Sequence, residues 1–145
     1  MIYTPATKKA MRVMFEAHKD AYDKSGVPYV FHPFHVAEQM EDEVSTIVAL
    51  LHDVVEDTDI TLDDLREMEF SEEVCTALDY MTHRDGVPYM EYVRHIRENP
   101  IAVRVKLADL AHNSDRTRFD HMTEADVRRE EKYALAMRIL KGGEE

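Results

Sequence analysis

Signals that start an α-helix recur along the whole chain, and they constrain its fold more than any other feature. Thr4 precedes a proline, Ser71 precedes EEVCTALDYMT and Thr123 precedes EADVRREEKYALAMRILK, and each is a residue type that caps helix N-termini. Thr61, which precedes LDDLREM, opens a segment that resembles a capping box. No segment alternates apolar and polar residues convincingly with a period of two. The sequence therefore predicts an all-α fold of about seven or eight helices.

The composition predicts one domain and excludes one class of partner. The chain has 145 residues, of which 44% are hydrophobic, and a net charge of −12. This apolar content is enough for one core, so residues 1–145 are expected to form a single domain. The negative charge repels nucleic-acid backbones, so DNA and RNA are not expected partners. A small anionic ligand remains compatible with it, because a bound cation can invert the sign of one pocket.

The single cysteine and the lack of long apolar runs bear on the cellular compartment. Cys75 excludes an internal disulfide, which fits a reducing environment. No apolar run approaches the ~18 residues of a membrane span, and the N-terminal segment lacks the core of a signal peptide. We expect a cytoplasmic protein without a membrane partner. The oligomeric state stays open, since apolar helices near the termini could pack on a partner chain as well as on the core.

The segment VALLHDVVEDTD places charged groups inside an apolar run. On one continuous helix over residues 41–57, Glu56 lies a turn after His52, and Asp57 lies a turn after Asp53. Unpaired carboxylates beside apolar neighbours cost several kcal/mol or shift their pKa strongly. A divalent cation removes this cost, since histidine offers a neutral nitrogen and aspartate a charged oxygen. This His-Asp pair is therefore a candidate metal site, although such dipeptides are common in proteins without a metal role.

Two further ligand candidates come from distant segments. His32 stands at a predicted boundary between a loop and a helix, where a side chain can point at a neighbouring helix. Asp109 lies in VRVKLADLAHN, on a helical stripe that also holds Lys106, Asn113 and Arg116 at spacings of three, four and three. Together with the His-Asp pair they make a mixed set that leaves metal positions open for water and substrate. Alternatively, Asp109 is the buried ion-pair partner of a neighbouring basic residue.

Three segments resemble the hydrolase domain of the RelA/SpoT family of HD-domain metal phosphohydrolases. They are SGVPYVFHPFHVAEQM, VALLHDVVEDTDITLDDL and VKLADLAHN, and the match spans roughly residues 15–118. The stand-alone members of this family, the small alarmone hydrolases and the metazoan SpoT homologue, have a similar size. The resemblance implies one all-helical HD-type domain with one bound metal, usually manganese. It also implies hydrolysis of the 3′-pyrophosphate of (p)ppGpp, which yields GDP or GTP and pyrophosphate.

The resemblance also implies a role for each candidate residue. Glu56 and Asp57 would orient or deprotonate the attacking water, which agrees with the ability of a nearby carboxylate to take a proton. Basic side chains would neutralise phosphate oxygens as charge develops. The residues implied as metal ligands are His32, His52, Asp53 and Asp109. The residues expected to contact the substrate are Lys24, Ser25, Lys106, Asn113 and Arg116.

One position departs from the family pattern. The family typically carries an arginine just before the lysine of an RKSG-like loop, and this chain has Asp23 there. A carboxylate at this place would repel a polyphosphate and cannot stack on a base as a guanidinium can. Two other functions therefore stay open: hydrolysis of another nucleotide or phosphate ester, and nucleotide binding without catalysis. The presence of both Glu56 and Asp57 argues against the second.

Overall fold

Nine α-helices and one 3₁₀-helix account for the fold of residues 1–143, the part of the chain that the computed structural model describes. Within this range no strand forms, and the predicted all-α fold is confirmed. None of the described helices combines the length and apolarity that crossing a bilayer requires. In chain order the helices are α1 (Pro5–His18), α2 (Phe31–Glu38), α3 (Glu43–Leu51), α4 (Val54–Asp57), α5 (Leu62–Glu67), α6 (Glu72–Tyr80), α7 (Tyr89–Ile96), α8 (Pro100–Asn113) and α9 (Glu124–Leu140), with the 3₁₀-helix at Arg116–Arg118.

Polar side chains start four of the helices at the predicted positions. Thr4, Thr61, Ser71 and Thr123 each accept a hydrogen bond from the backbone N–H three residues later. At Thr61 the Asp64 side chain reaches back to the cap and completes a capping box. A cap of this kind stabilises a helix by about 1 kcal/mol. These residues therefore set the starts of α1, α5, α6 and α9.

The central helix is α3, which packs against α1, α2, α6 and α8. All seven residues from position 45 to position 51 are buried, and Val48, Leu50 and Leu51 are fully enclosed. Burying one such side chain contributes about 1.5–3 kcal/mol. This apolar run anchors the core and carries the following His-Asp pair into the middle of the bundle.

The predicted continuous helix over residues 41–57 is wrong, because the helix breaks at His52 and Asp53. The first part, α3, ends at Leu51, and α4 begins at Val54. His52 Nδ1–H donates to the Ala49 carbonyl at 2.6 Å. This side-chain bond competes with the backbone ladder for that carbonyl, which explains why the ladder stops there.

The helix that a continuous stripe from Lys106 to Arg116 requires is also shorter than expected. The α8 helix ends at Asn113, and the Asp115 side chain accepts from the Thr117 N–H at 3.0 Å to start the 3₁₀-helix. Because the helical path changes here, Arg116 does not continue the stripe of α8 that holds Asp109.

Candidate metal centre

The structure brings together the four side chains that the sequence suggests as metal ligands. His32 comes from α2, His52 and Asp53 come from the break between α3 and α4, and Asp109 comes from α8. Asp109 Oδ1 lies 2.8 Å from His32 Nε2 and 3.3 Å from His52 Nε2. Asp53 Oδ2 lies 3.2 Å from His52 Nε2 and 3.8 Å from His32 Nε2. The ligand atoms of His32, His52 and Asp109 lie within 4.8 Å of one another, so these three residues could hold one metal ion.

The hydrogen bond to Ala49 fixes which nitrogen of His52 faces the centre. Because Nδ1–H donates to that carbonyl, the neutral imidazole carries its lone pair on Nε2, opposite the carboxylates of Asp53 and Asp109. Facing acceptors repel one another unless a proton or a cation lies between them. Burial lowers the pKa of His52, but the two carboxylates outweigh burial and hold the pKa well above 6.5. The residues fit a divalent cation, which would take the place of that proton.

Two neighbours on α8 hold the Asp109 carboxylate. Lys106 Nζ donates to Oδ2 and Asn113 Nδ2 donates to Oδ1, each at 3.0 Å. Burial would raise the pKa of Asp109, but Lys106 and the two central histidines hold it well below its usual range. The ion pair with Lys106, suggested as an alternative to a ligand role, therefore occurs together with the ligand cluster.

Two partners of the candidate ligands are not predicted from the sequence. The Tyr29 O–H donates to Asp53 Oδ2 at 2.6 Å. His112 Nδ1 lies 2.8 Å from His32 Nδ1, and the two rings stack with their centroids 5.0 Å apart. Such partners orient metal ligands and tune their affinity. Their only sequence signal is position, since Tyr29 ends SGVPY and His112 lies in KLADLAHN.

Replacement of Tyr29 by phenylalanine is expected to weaken divalent-cation binding by about 10- to 100-fold, because it removes the donor that orients Asp53. The ring packing against His18 and His32 is retained, so the fold should persist. Calorimetric titration of the metal-free protein with Mn²⁺ measures the affinity. Tyr3→Phe, at an exposed tyrosine, is the matched control and should bind as the wild type does. Unchanged affinity in Tyr29→Phe would show that the phenol does not support the centre.

Glu56 and Asp57 both lie on α4 and are exposed, but their carboxylates differ in partners. Glu56 Oε1 accepts a hydrogen bond from the His83 backbone N–H at 2.6 Å, which ties α4 to the loop after α6. The Asp57 carboxylate has no hydrogen bond or ion pair to residues 1–143. Although the residue is exposed, partial desolvation of its carboxylate, followed by the charges of Asp53 and Glu56, raises the pKa of Asp57 to about 6. Such a free carboxylate is suited to accept a proton near neutral pH.

The raised pKa of Asp57 predicts that the free energy of unfolding of the metal-free protein falls as the pH rises. The folded value of about 6 exceeds the ordinary 3.8, so the stabilising contribution is complete below pH 4 and is lost as the pH rises through 6. The shift corresponds to about 3 kcal/mol, which solvent screening of this exposed group reduces to about 1 kcal/mol. Asp57→Asn should therefore raise the free energy of unfolding by that amount at pH 8 and leave it unchanged at pH 4. Denaturant titrations with a chelator test this, and an equal gain at both pH values would contradict it.

A cavity of about 380 Å³, here called the polar cavity, lies beside Tyr29 and Asn113. Its lining includes three of the five residues expected to contact the substrate, Lys24, Ser25 and Asn113. Lys24 Nζ is paired with Asp126 Oδ1 at 3.0 Å, while the Ser25 hydroxyl donates to a backbone carbonyl. The cavity also contains the cationic side chains of Arg118 and Arg129, which the sequence does not distinguish from other arginines.

The other two expected substrate contacts do not line this cavity. Lys106 is largely buried and donates to Asp109, so it supports a candidate ligand. Arg116 donates through two nitrogens to the two carboxylate oxygens of Glu130, at 2.7 and 2.6 Å. The structure therefore brings Lys106 to the metal centre and leaves Arg116 in an ion pair with Glu130 of α9.

Asp23 does not present a free negative charge to the polar cavity. Its Oδ1 accepts from the backbone N–H groups of Ser25 and Val27 at 2.9 and 3.0 Å. Its Oδ2 lies 3.7 Å from Arg118 Nη2. The repulsion expected from this residue is therefore reduced by two backbone donors and one guanidinium, which belongs to a segment far along the chain.

Comparison with known proteins agrees with this architecture, although no family model matches the chain. The chain is 35% identical over 144 residues to the guanosine-3′,5′-bis(diphosphate) 3′-pyrophosphohydrolase MESH1 of Mus musculus, covering 88% of this chain and 80% of that protein. It is 36% identical over 132 residues to the Homo sapiens protein of that name, covering 83% and 73% of the two chains. A probable GTP pyrophosphokinase of Mycobacterium leprae is 34% identical over 125 residues, but the chain spans 16% of its length.

A solved structure, described as a metazoan orthologue of SpoT that hydrolyses ppGpp, has the same fold. It superimposes with a TM-score of 0.75 at 24% identity, and the match covers 97% of this chain and 87% of the solved one. The fold likeness and the two MESH1 relatives, which the chain matches over most of their length, lead to one conclusion. This chain belongs to the SpoT-like hydrolase family.

Proposed function

We propose that this chain, as one HD-type domain, is a metal-dependent phosphohydrolase that removes the 3′-pyrophosphate of (p)ppGpp. The products would be GDP or GTP and pyrophosphate. The observation that carries the proposal is the cluster of His32, His52, Asp53 and Asp109 beside a cavity whose lining includes Lys24 and Arg129. The names of the two MESH1 relatives support the choice of substrate, since both are 3′-pyrophosphohydrolases of guanosine-3′,5′-bis(diphosphate).

The four clustered side chains would hold one divalent cation, for which we propose Mn²⁺ because the family that the sequence resembles usually binds manganese. When bound, such a cation lowers the pKa of water and polarises a phosphoryl oxygen. The protein contributes the orientation of the ligands. Tyr29 holds Asp53, the Ala49 carbonyl holds His52, and Lys106 and Asn113 hold Asp109.

Asp57 would accept the proton of the attacking water, and Glu56 would orient that water. The assignment follows from their partners, since the Asp57 carboxylate is free within residues 1–143 while Glu56 is held by the His83 N–H. In the metal-free protein the pKa of Asp57 is raised to about 6, so its carboxylate is ionised at neutral pH, as a general base requires. A positioned general base contributes about 10²- to 10⁴-fold to a rate.

Lys24, Ser25 and Asn113 would position the nucleotide in the polar cavity. Lys24 and Arg129 share the single carboxylate of Asp126, so their combined charge exceeds that of their partner. The Lys24 side chain is 61% exposed, and it can exchange this carboxylate for a phosphate oxygen of a ligand. The cavity can therefore attract a polyphosphate, although the protein as a whole is acidic.

The function is tested with purified protein that has been stripped of metal and reloaded with Mn²⁺. Separate reactions contain ppGpp, other nucleoside phosphates, and a phosphodiester without a base, and chromatography identifies the products. We expect GDP and pyrophosphate from ppGpp and much slower turnover of the others. Turnover of another ester in place of ppGpp would assign a different substrate, and nucleotide binding without any turnover would assign a binding module.

A further inference from the structure

Arg118 lies on the wall between two cavities. The second one, here called the aromatic cavity, measures about 420 Å³ and includes Phe31, Phe34, His35 and His112 in its lining. Both cavities share Asp23, Tyr29 and Arg118. A ligand that extends from one cavity into the other must therefore pass Arg118.

Most of the hydrogen-bonding capacity of Arg118 is unused within the described residues. Its Nη1 donates to the His112 carbonyl at 2.9 Å and to Asn113 Oδ1 at 3.3 Å. Its Nη2 lies 3.7 Å from Asp23 Oδ2, which is beyond hydrogen-bond distance. The Nε–H and both Nη2–H groups have no acceptor among residues 1–143. Since this side chain is only 22% exposed, these donors are suited to acceptors on a bound ligand.

The loop of residues 23–27 contacts Arg118 at two points. Asp23 Oδ2 faces the guanidinium, and the other oxygen of Asp23 is locked by the Ser25 and Val27 N–H groups. The Ser25 hydroxyl donates to the Arg118 carbonyl at 2.9 Å. The loop therefore contacts both the side chain and the backbone of Arg118.

The surroundings of Arg118 favour a neutral base, which presents hydrogen-bond acceptors along one edge, over a phosphate group as its ligand. Asp23 offsets the charge of the guanidinium, so an anion would gain little beside this pair. The rings of the aromatic cavity suit a planar base. Guanine presents two neighbouring acceptors, O6 and N7, which match an arginine fork, whereas adenine places an amino donor at the position of O6.

We propose that Arg118 is a specificity-determining residue that selects guanine over adenine by donating to O6 and N7 of the base. This inference rests on the proposed function for its substrate class, but it concerns the base, while the chemistry takes place at the metal centre.

The test is calorimetric binding of GDP and ADP to the metal-free wild type, Arg118→Gln and Arg118→Lys. The wild type should prefer GDP by about 10- to 100-fold, as expected for one bidentate arginine–guanine contact. Arg118→Gln should lose the preference, because glutamine lacks two parallel N–H donors, and Arg118→Lys should show a reduced preference, because lysine lacks the planar fork. Arg118→Lys retains the positive charge and is the test variant to use if Arg118→Gln does not fold. Arg128→Ala, at a residue that is 70% exposed on α9, is the control and should keep the preference.

Equal affinity of the wild type for GDP and ADP would overturn the inference, as would an undiminished preference in either folded variant. Because base preference is measured without metal, it reports on Arg118 independently of catalysis. Absence of ppGpp hydrolysis by the Mn²⁺-loaded wild type would reject the proposed function instead. Hydrolysis of ppGpp together with equal binding of GDP and ADP would reject only the role of Arg118.

Discussion

Replacement of Asp109 by asparagine is expected to reduce divalent-cation affinity by more than about 100-fold, since loss of an outer partner alone costs 10- to 100-fold. Asp109 Oδ1 is the atom shared by both imidazole nitrogens, at 2.8 and 3.3 Å. The amide of asparagine removes the charge that draws a cation to this point. Hydrolysis should fall with metal occupancy, because water activation depends on the bound ion.

The same substitution should destabilise the protein, because it leaves the buried Lys106 ammonium without its anion. Breaking a buried pair from one side costs about 3–5 kcal/mol. Calorimetry with Mn²⁺ and denaturant unfolding measure the two effects on one sample. Asp63→Asn, at a carboxylate that is 87% exposed, provides the matched control. An Asp109→Asn protein that binds Mn²⁺ as the wild type does would remove Asp109 from the centre.

Asp57→Asn is expected to lower the hydrolytic rate by about 10²- to 10⁴-fold while leaving Mn²⁺ affinity unchanged. The asparagine fills the same space but cannot accept the proton of the attacking water. Glu56→Gln is the matched comparison on the same helix. Its amide oxygen can still accept from the His83 N–H, so the tie between α4 and the following loop is retained.

Steady-state assays with Mn²⁺ across a range of pH separate the two carboxylates. We expect a large loss of kcat and a loss of the acid limb of the pH profile in Asp57→Asn, and a smaller loss with the limb retained in Glu56→Gln. The reverse ranking would assign the general base to Glu56. A fall in metal occupancy in either variant would indicate a ligand role instead.

Three of the four candidate ligands could be predicted because their polar groups are locally out of place, and His32 could be predicted from its position at a boundary between a loop and a helix. His52 and Asp53 interrupt an apolar run, and Asp109 stands among the apolar residues of α8. Helix periodicity then limits which polar groups can share a face. The resemblance to a hydrolase domain named the same residues, and the structure brings them within reach of one ion.

The partners of these ligands depend on contacts that no local pattern contains. Tyr29 reaches Asp53 across the fold, and Arg118 meets Asp23 through a loop far from it in sequence. The continuous helix through His52 failed as a prediction for a related reason. The residues on both sides favour helix, and only the bond from the imidazole to the Ala49 carbonyl reveals the break.

The two similar segments SGVPY and DGVPY show how one backbone solution can serve two purposes. Gly26 and Gly86 both adopt positive φ, at 84° and 82°, which permits each loop to turn tightly before a helix. The first loop delivers Tyr29 to Asp53. The segment that leads into the second delivers the His83 N–H to Glu56. The repetition therefore reflects one loop-to-helix turn that is used twice, near residues that contact Asp53 and Glu56.

In the proposed centre, one cation draws together side chains from three parts of the chain. Anomalous diffraction from crystals soaked in Mn²⁺ tests it most directly. We expect a single strong peak within about 2.0–2.4 Å of His32 Nε2, His52 Nε2 and the carboxylates of Asp53 and Asp109. Well-ordered density for these four side chains with no peak between them, at saturating Mn²⁺, would contradict the account.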